Sequence, residues 1–180
     1  AIENGADKVR INPGNIGGET EIKYVADCVK AHKIPVRVGA NTGSIEKHFL
    51  EKYGKNEYSL VESALYNVGI LEKFGVNDIV VSVKASSVPL TVKAYTLLAQ
   101  RTDYPLHLGV TEAGTTEAGI VKSAVGIGSL LLHGIGDTIR VSLTDDPVKE
   151  IDAAKLILRS CGLDEEYVEV VSCPTCGRCA

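Results

Sequence analysis

The first informative features of this 180-residue sequence are absences. No apolar run approaches the ~18 residues that a membrane-spanning helix needs, so a protein built around such helices is not expected. The net charge of −4 and the lack of a basic cluster argue against a nucleic-acid-binding domain. Methionine is absent, including at position 1, and we expect the chain to be an internal segment of a longer protein. Its apolar content of 44% is that of a globular domain with a core.

Five short segments alternate aliphatic residues with polar residues or glycine. They are residues 9–12, 36–39, 81–84, 106–111 and 139–143. Alternate residues of a strand face opposite sides of a sheet, so each segment predicts a strand with one aliphatic and one polar face. The predicted polar face carries Arg10, Asn12, Arg37, Ser82, Lys84, His107, Arg140 and Ser142.

Stretches with helical periodicity separate these segments. The predicted helices cover residues 19–32, 59–74, 89–101 and 118–133, and a last one begins at Asp146 and ends before Gly162. Strands that alternate with helices fit either an open doubly wound sheet or an eight-stranded barrel. The glycines of residues 12–18 lack the GxGxxG spacing of a dinucleotide-binding turn. We therefore predict an α/β fold that is part of a TIM (β/α)8 barrel, with five of its eight strand–helix units.

Four of the predicted strands place a cation on the polar face: Arg10, Arg37, Lys84 and Arg140. Arginine offers a planar fork to phosphate oxygens, and lysine offers a point charge. Any one of them alone is equally well explained as a paired core charge or a solvated residue at the rim. Four in the same strand register favour a small ligand with several negative charges.

The segments that follow the predicted strands are rich in Gly, Asn, Thr and Ser. Such loops can present backbone N–H groups to an oxyanion, although ordinary turns use the same residues. Glu112 is the one carboxylate just past a strand end, where it is a candidate general acid or base, or a solvated loop residue. His107 lies on the polar face below the predicted mouth, and we interpret it as a hydrogen-bonded core residue.

Cysteines cluster near the end of the chain, in Cys173-Pro174-Thr175-Cys176-Gly177-Arg178-Cys179. The C-x-x-C spacing is typical of an iron–sulfur cluster, a structural zinc site or a redox disulfide. The residues before it are strand-like and do not start a helix, which disfavours a thioredoxin-type site. Free thiols in a reducing compartment remain the simpler alternative.

Six ordered motifs resemble the 4-hydroxy-3-methylbut-2-enyl diphosphate synthase family of the non-mevalonate isoprenoid pathway. They are RINPGNIG at residues 10–17, VRVGANTGS at 36–44, VSVKAS at 81–86, PLHLGVTEAG at 105–114, GIGDTIRVSLTDDP at 134–147 and SCPTCGR at 172–178. The resemblance covers essentially the whole chain. It implies that residues 1–162 form the C-terminal part of a TIM barrel, and that residues 163–180 form a linker and the start of a [4Fe–4S] domain.

The resemblance also implies an oxidoreductase activity. Members convert 2-C-methyl-D-erythritol 2,4-cyclodiphosphate to 4-hydroxy-3-methylbut-2-enyl diphosphate by reductive ring opening and loss of a hydroxyl group. Electrons come from flavodoxin or ferredoxin, and members are homodimers in which the cluster domain of one subunit caps the barrel of another. A bacterial cytoplasmic location is implied, with a plastid one left open. This segment alone is expected to be inactive.

Carried over residue by residue, the resemblance assigns Glu112 to the neighbourhood of the reacting carbon and hydroxyl. It assigns two cluster ligands, Cys173 and Cys176, and leaves a third cysteine and a glutamate ligand beyond this chain. Cys179 departs from the family pattern and receives no role. The diphosphate is implied to be held by Arg10, Asn12, Arg37, Asn41, Lys84, Arg140 and Ser142.

Two other readings of the residues stay open. One is a barrel enzyme without redox chemistry, which binds a phosphate ligand and whose cysteines hold a structural zinc ion. The other is a diphosphate-binding module without catalytic activity. No nucleic-acid or membrane partner is expected under any of them.

Overall fold

The computed structural model describes residues 1–12, 15–164 and 167–168. Strands and helices alternate along the chain after a short 3-10 helix, Ile2–Asn4. The strands are β1 (Val9–Ile11), β2 (Val36–Asn41), β3 (Ile79–Lys84), β4 (His107–Leu108) and β5 (Thr138–Ile139). The helices are α1 (Glu19–His32), α2 (Lys47–Tyr53), α3 (Glu57–Lys73), α4 (Val88–Ala99), α5 (Thr116–Leu131) and α6 (Pro147–Ser160).

All strand pairs are parallel and follow the order of the chain. One sheet contains β1, β2 and β3, and a second contains β4 and β5. A single parallel bridge between Val81 and Leu106 joins β3 to the start of β4. The strand order therefore runs from β1 to β5 without the reversal that defines a doubly wound sheet. This order is the one found in an arc of a barrel.

The helices pack on their sequence neighbours, α3 on α4, α4 on α5 and α5 on α6. Helices α3 and α4 also lie against β2 and β3, so they cover one face of the sheet as a continuous layer. The side chains of the strands that point towards this layer are aliphatic. Val36, Val38, Val81 and Val83 are fully buried there, as are Leu60 and Leu71 of α3. This interface is the hydrophobic core, as the alternating pattern predicted.

Strand registers align the polar residues in rows across the opposite face. Arg10 lies beside Arg37, and Asn41 lies beside Lys84. The bridge between Val81 and Leu106 continues the register, so that Ser82 falls beside His107 and Lys84 beside Gly109. His107 is in turn paired with Thr138, which places Arg140 beside Gly109. In the uppermost row, Gly109 thus lies between the long side chains of Lys84 and Arg140.

The helix boundaries follow local signals. Asn56 caps α3 by accepting hydrogen bonds from the N–H groups of Tyr58 and Ser59. Asp146 caps α6 through the N–H group of Val148, Pro147 occupies the first turn, and Gly162 follows the helix with φ 71°.

The sequence missed α2, whose seven residues include no buried side chain and therefore give no apolar stripe. Strands β4 and β5 are shorter than the predicted segments. Within the described ranges, no helix is both long and apolar enough to cross a membrane.

Tyr95 links the helix layer to the site-bearing strands, and its loss should reduce stability. The side chain is fully buried, and its hydroxyl group donates a 2.6 Å hydrogen bond to the carbonyl oxygen of His107. We expect Tyr95→Phe to lower the free energy of unfolding by ~1–2 kcal/mol, since a buried carbonyl loses its donor. Denaturant unfolding of the protein that contains this segment measures the change.

The matched control is Tyr104→Phe, which removes an exposed hydroxyl group bonded to Glu72 at 2.9 Å. Its expected cost is below ~0.5 kcal/mol. Equal costs for the two variants would contradict the role of Tyr95 as a buried link.

Candidate functional site

A polar pocket opens at the carboxyl ends of the strands. Its cavity volume is about 90 Å³, smaller than the ~300–1,000 Å³ typical of sites that enclose a whole small molecule. Every strand or the loop after it contributes a side chain, so the site depends on the register of the whole sheet. The lining residues are Arg10, Arg37, Ala40, Asn41, Ser82, Lys84, Thr111, Arg140 and Ser142.

The lining contains four cationic side chains and no carboxylate. Arg10 donates a 3.0 Å hydrogen bond to the carbonyl oxygen of Gly39, and Arg140 lies 3.6 Å from a carboxylate oxygen of Glu150. Within the described part of the chain, neither Arg37 nor Lys84 has a carboxylate partner. The pocket therefore carries excess positive charge that only an anionic ligand can neutralise.

Mutual repulsion shows in the acid–base properties of the site. Burial above all, and then the nearby charges of Arg37, Arg140 and Arg10 in that order, together lower the pKa of Lys84 to about 7. Burial likewise lowers the pKa of Arg37, with contributions from Arg10 and Arg140. An anion bound among these groups would reverse the effect, because a negative charge favours the protonated ammonium.

His107 lies below the pocket and stays neutral. Its side chain is 9% exposed, and its Nδ1 atom is 2.8 Å from the hydroxyl oxygen of Thr138. Burial and the charges of Lys84 and Arg37 lower its pKa to about 3. Its Nε2 atom is buried and has no partner among the described residues, like Nε of Arg37 and Oδ1 of Asn12. The interpretation as a hydrogen-bonded core residue is therefore correct for one ring nitrogen only.

Two glycines on the inner face make room for the cations. A Cβ atom on Gly39 would overlap the guanidinium group of Arg10. A Cβ atom on Gly109 would lie 2.7 Å from Nζ of Lys84 and 2.8 Å from the carbonyl oxygen of Arg140. Each long side chain thus occupies the space that its neighbour on the next strand leaves empty.

The loop after β2 is fixed by its own hydrogen bonds. Oδ1 of Asn41 accepts from the N–H group of Gly43 at 3.0 Å, and Ser44 Oγ bonds to both the backbone N–H and the carbonyl oxygen of Asn41. The side-chain oxygen of Asn41 is thereby engaged. What the side chain can still offer to an anion is its amide NH2 group.

The predicted site residues do not all line the pocket. Six of the seven predicted diphosphate contacts are lining residues, and the exception is Asn12, which directly follows β1 in the row of the lining residue Ser82. Glu112 is exposed and adjoins the lining residue Thr111. Its φ of 52° is in the left-handed region, a strained conformation that costs ~1–3 kcal/mol and persists only where surrounding structure imposes it.

Some site residues were missed in the sequence. Thr111 sits in a loop that was recognised only for its composition, and strand alternation continued past β4 would have found it. Glu150 lies on α6, ten residues after Arg140, and no sequence signal indicates their ion pair. The predicted cluster ligands Cys173 and Cys176, with Cys179, lie outside the described residues. Within those residues no group of His, Cys, Asp and Glu side chains could hold a metal ion.

Gly109 gives a test of the packing between Lys84 and Arg140. We expect Gly109→Ala to weaken the binding of inorganic diphosphate by about tenfold or more, because the new methyl group would meet the Arg140 backbone as well as Lys84. Titration calorimetry on the protein that contains this segment measures the affinity. The control is Gly69→Ala in α3, where nothing lies within 4 Å. Unchanged affinity in Gly109→Ala would contradict the packing described.

The acid–base state of Lys84 gives a second test. Because the pKa of Lys84 is about 7, its ammonium group loses a proton in the empty site as pH rises through 7. Above that pH, Lys84 must take up a proton again when an anion binds. The dissociation constant for sulfate, whose own charge is constant in this range, should rise about tenfold per pH unit above 7. Lys84→Arg keeps the charge without titrating there, so it should flatten the profile. A wild-type affinity that is independent of pH from 6 to 9 would rule out this state of Lys84.

Comparisons with known proteins agree with this geometry. A family model described as the GcpE TIM-barrel domain matches residues 1–155. The chain is 61% identical over 179 residues to a protein of Caldanaerobacter subterraneus subsp. tengcongensis named 4-hydroxy-3-methylbut-2-en-1-yl diphosphate synthase (flavodoxin). Proteins with the same name from Fusobacterium nucleatum and Ruminiclostridium cellulolyticum are 59% and 58% identical over 179 and 178 residues.

These alignments cover 98–99% of this chain but 50–51% of each relative, so the chain spans about half the length of the curated relatives it matches. The family model covers most of the chain and describes the same fold that the strand order indicates, a TIM barrel. By this match, the chain belongs to the GcpE TIM-barrel domain family.

Proposed function

We propose that this chain is part of an enzyme that reduces 2-C-methyl-D-erythritol 2,4-cyclodiphosphate to 4-hydroxy-3-methylbut-2-enyl diphosphate. The observation that carries the proposal is the convergence of four cations, three from strands β1–β3 and one from directly after β5, on a pocket without a carboxylate. The names of the relatives support it, since all the alignments described above are to proteins with that synthase name.

The proposed role of the pocket is to hold the diphosphate. Arg10, Arg37 and Arg140 offer planar forks to phosphate oxygens, and Lys84 offers a point charge. Asn41 and Ser142 add neutral donors at the rim, and Asn12 is assigned a place in the row of Ser82 on the same face. Anchoring one end of the substrate in this way fixes the other end, and such positioning lowers the barrier to reaction.

The proposed role of Glu112 is to orient or protonate the reacting end. The net reaction breaks the carbon–oxygen bond that closes the diphosphate ring, removes a hydroxyl group as water, and consumes two electrons and two protons. Glu112 is exposed and lies in the loop next to the lining residue Thr111, at the edge of the pocket. An acid in this position can deliver a proton to the departing hydroxyl.

The electrons require a group that the described residues do not hold. Two thiolates at C-x-x-C spacing, followed by glycine, are a donor set that suits a [4Fe–4S] cluster, and we assign Cys173 and Cys176 to it, with the other ligands outside this chain. When bound, such a cluster supplies single electrons. We further propose residues 1–162 as barrel and 163–180 as linker and start of the cluster domain.

The proposed electron donor is flavodoxin, as the names of the relatives state, with ferredoxin as the other candidate. A homodimer in which the cluster domain of one subunit covers the barrel of the other is part of the same proposal, as is a bacterial cytoplasmic location. The zinc-containing alternative without redox chemistry is not favoured, because the matched relatives are named as the reductive synthase.

Substitution of Glu112 tests whether the protein is an enzyme or only a binder. In the protein that contains this segment, Glu112→Gln should lower kcat by about 100-fold or more with little change in KM, because general acid catalysis is lost and the diphosphate contacts remain. Steady-state turnover with a reduced electron donor is the measurement. Glu117→Gln, an exposed carboxylate in the first turn of α5, is the control. Equal turnover in wild type and Glu112→Gln would remove Glu112 from the mechanism.

The proposed dependence on cluster ligands outside this chain gives a further test. Residues 1–180 alone should show no turnover, since they carry only two of the proposed cluster ligands. The longer protein should be brown and active under anaerobic conditions. Turnover by the 180-residue segment, or a colourless active protein that contains zinc, would contradict the proposed chemistry.

A further inference from the structure

One carboxylate joins the two loops that follow β4 and β5. Oδ2 of Asp145 accepts hydrogen bonds from the hydroxyl group of Thr116 at 2.6 Å and from Nζ of Lys149 at 2.8 Å. Its other oxygen accepts from the N–H group of Asp146 at 2.7 Å. Thr116 begins α5 directly after the loop that contains Glu112, and Asp145 precedes α6. The bond between Thr116 and Asp145 therefore runs from one loop of the pocket mouth to the other.

The loop that contains Glu112 needs external support. Glu112 has φ 52°, and Gly114 follows with φ 104°, so the backbone twice enters the left-handed region. On the β4 side, the N–H group of Thr111 donates to the carbonyl oxygen of Ala85 at 3.2 Å. On the α5 side, the bond from Thr116 to Asp145 is the side-chain anchor. Strained backbone of this kind persists only where its surroundings hold both ends.

We propose that Asp145 is a positioning residue, which holds the Glu112 carboxyl group at the pocket mouth by anchoring the 111–116 loop through the Thr116 hydroxyl group. The proposal rests on the proposed function, because it assigns a purpose to the orientation of Glu112. It adds a residue that is not among the lining residues of the pocket.

The loop after β5 has separate supports. Glu150 accepts a 3.0 Å hydrogen bond from the N–H group of Leu143 and lies 3.6 Å from the Arg140 guanidinium group. The Leu143 side chain also packs in the space beside Gly119, where a Cβ atom would lie 2.7 Å from it. Breaking the bond between Thr116 and Asp145 should therefore loosen the Glu112 loop and leave Arg140 in place. A disturbed Glu112 loop should therefore change kcat, whereas a disturbed Arg140 loop should change KM.

The carboxylate is suited to the role at ordinary pH. Hydrogen bonds from Lys149, Thr116 and the Asp146 backbone, in that order, hold the pKa of Asp145 well below its usual range. The group thus remains an ionised acceptor under conditions in which the enzyme would work. Lys149 belongs to the same helix-start region as Asp145, so its bond does not cross between the loops.

The test uses three variants of the protein that contains this segment. Thr116→Val removes the hydroxyl group that crosses the loops at nearly constant volume, Thr116→Ser restores it, and Lys149→Ala removes only the bond within the α6 loop. We expect Thr116→Val to lower kcat about tenfold with KM within twofold of wild type. Thr116→Ser and Lys149→Ala should stay within threefold of wild type in both constants.

A double-mutant cycle shows whether Thr116 acts through Glu112. Thr116→Val should cause no further loss of kcat in the Glu112→Gln background, since there is no carboxyl group left to position. The proposal would be overturned if the double variant lost kcat by the product of the two single losses. A Thr116→Val variant with wild-type kcat would also overturn it if Glu112→Gln is impaired. Unimpaired Glu112→Gln would instead overturn the proposed role of Glu112, on which this inference rests.

Hydrogen exchange tests the anchor without reference to turnover. In Thr116→Val the amide groups of residues 112–114 should exchange at least about fivefold faster than in wild type, and those of β2 and β3 should be unchanged. If the amide groups of residues 112–114 exchanged in Thr116→Val at the wild-type rate, the anchoring role would be overturned. This result would count even if the protein proved to have no reductase activity.

Discussion

The constraint on which the site depends is the repulsion among four cations fixed on one face of a parallel sheet. Strand alternation sends their side chains to the same side, and the aliphatic residues between them are buried under the helices. The helix layer thus provides the free energy that holds the charges together. The site remains short of negative charge, so an anion completes it. The same strands therefore supply both the core residues that drive folding and the cations that recognise the ligand.

Size complementarity allows that arrangement. Two glycines leave room for long side chains, so that Arg10 extends over Gly39 and Lys84 over Gly109. Neutral His107 lies below, where a charged imidazole would add to the repulsion. Tyr95 fixes the His107 backbone from the helix side. The pocket is therefore shaped by residues that never contact a ligand as well as by those that line it.

Strand alternation was enough to predict the inner face, including Arg37, Lys84 and Arg140, because a period of two is a local property. It also predicted the alternation of strands and helices. The sequence could not predict α2, which has no buried stripe, or the short extent of β4 and β5. It placed Glu112 near the mouth but not in its left-handed conformation. The contacts of Glu150 and Asp145 were unpredictable, since their partners are set by the way two loops meet.

The most direct measurement is the affinity for inorganic diphosphate of four single variants of the protein that contains this segment. These are Arg10→Gln, Arg37→Gln, Lys84→Gln and Arg140→Gln, with exposed Lys93→Gln as the control. If the cations form one site, each pocket variant binds about tenfold or more weakly and the control binds as wild type does. If two or more pocket variants bind as tightly as wild type, the four charges do not hold a common anion.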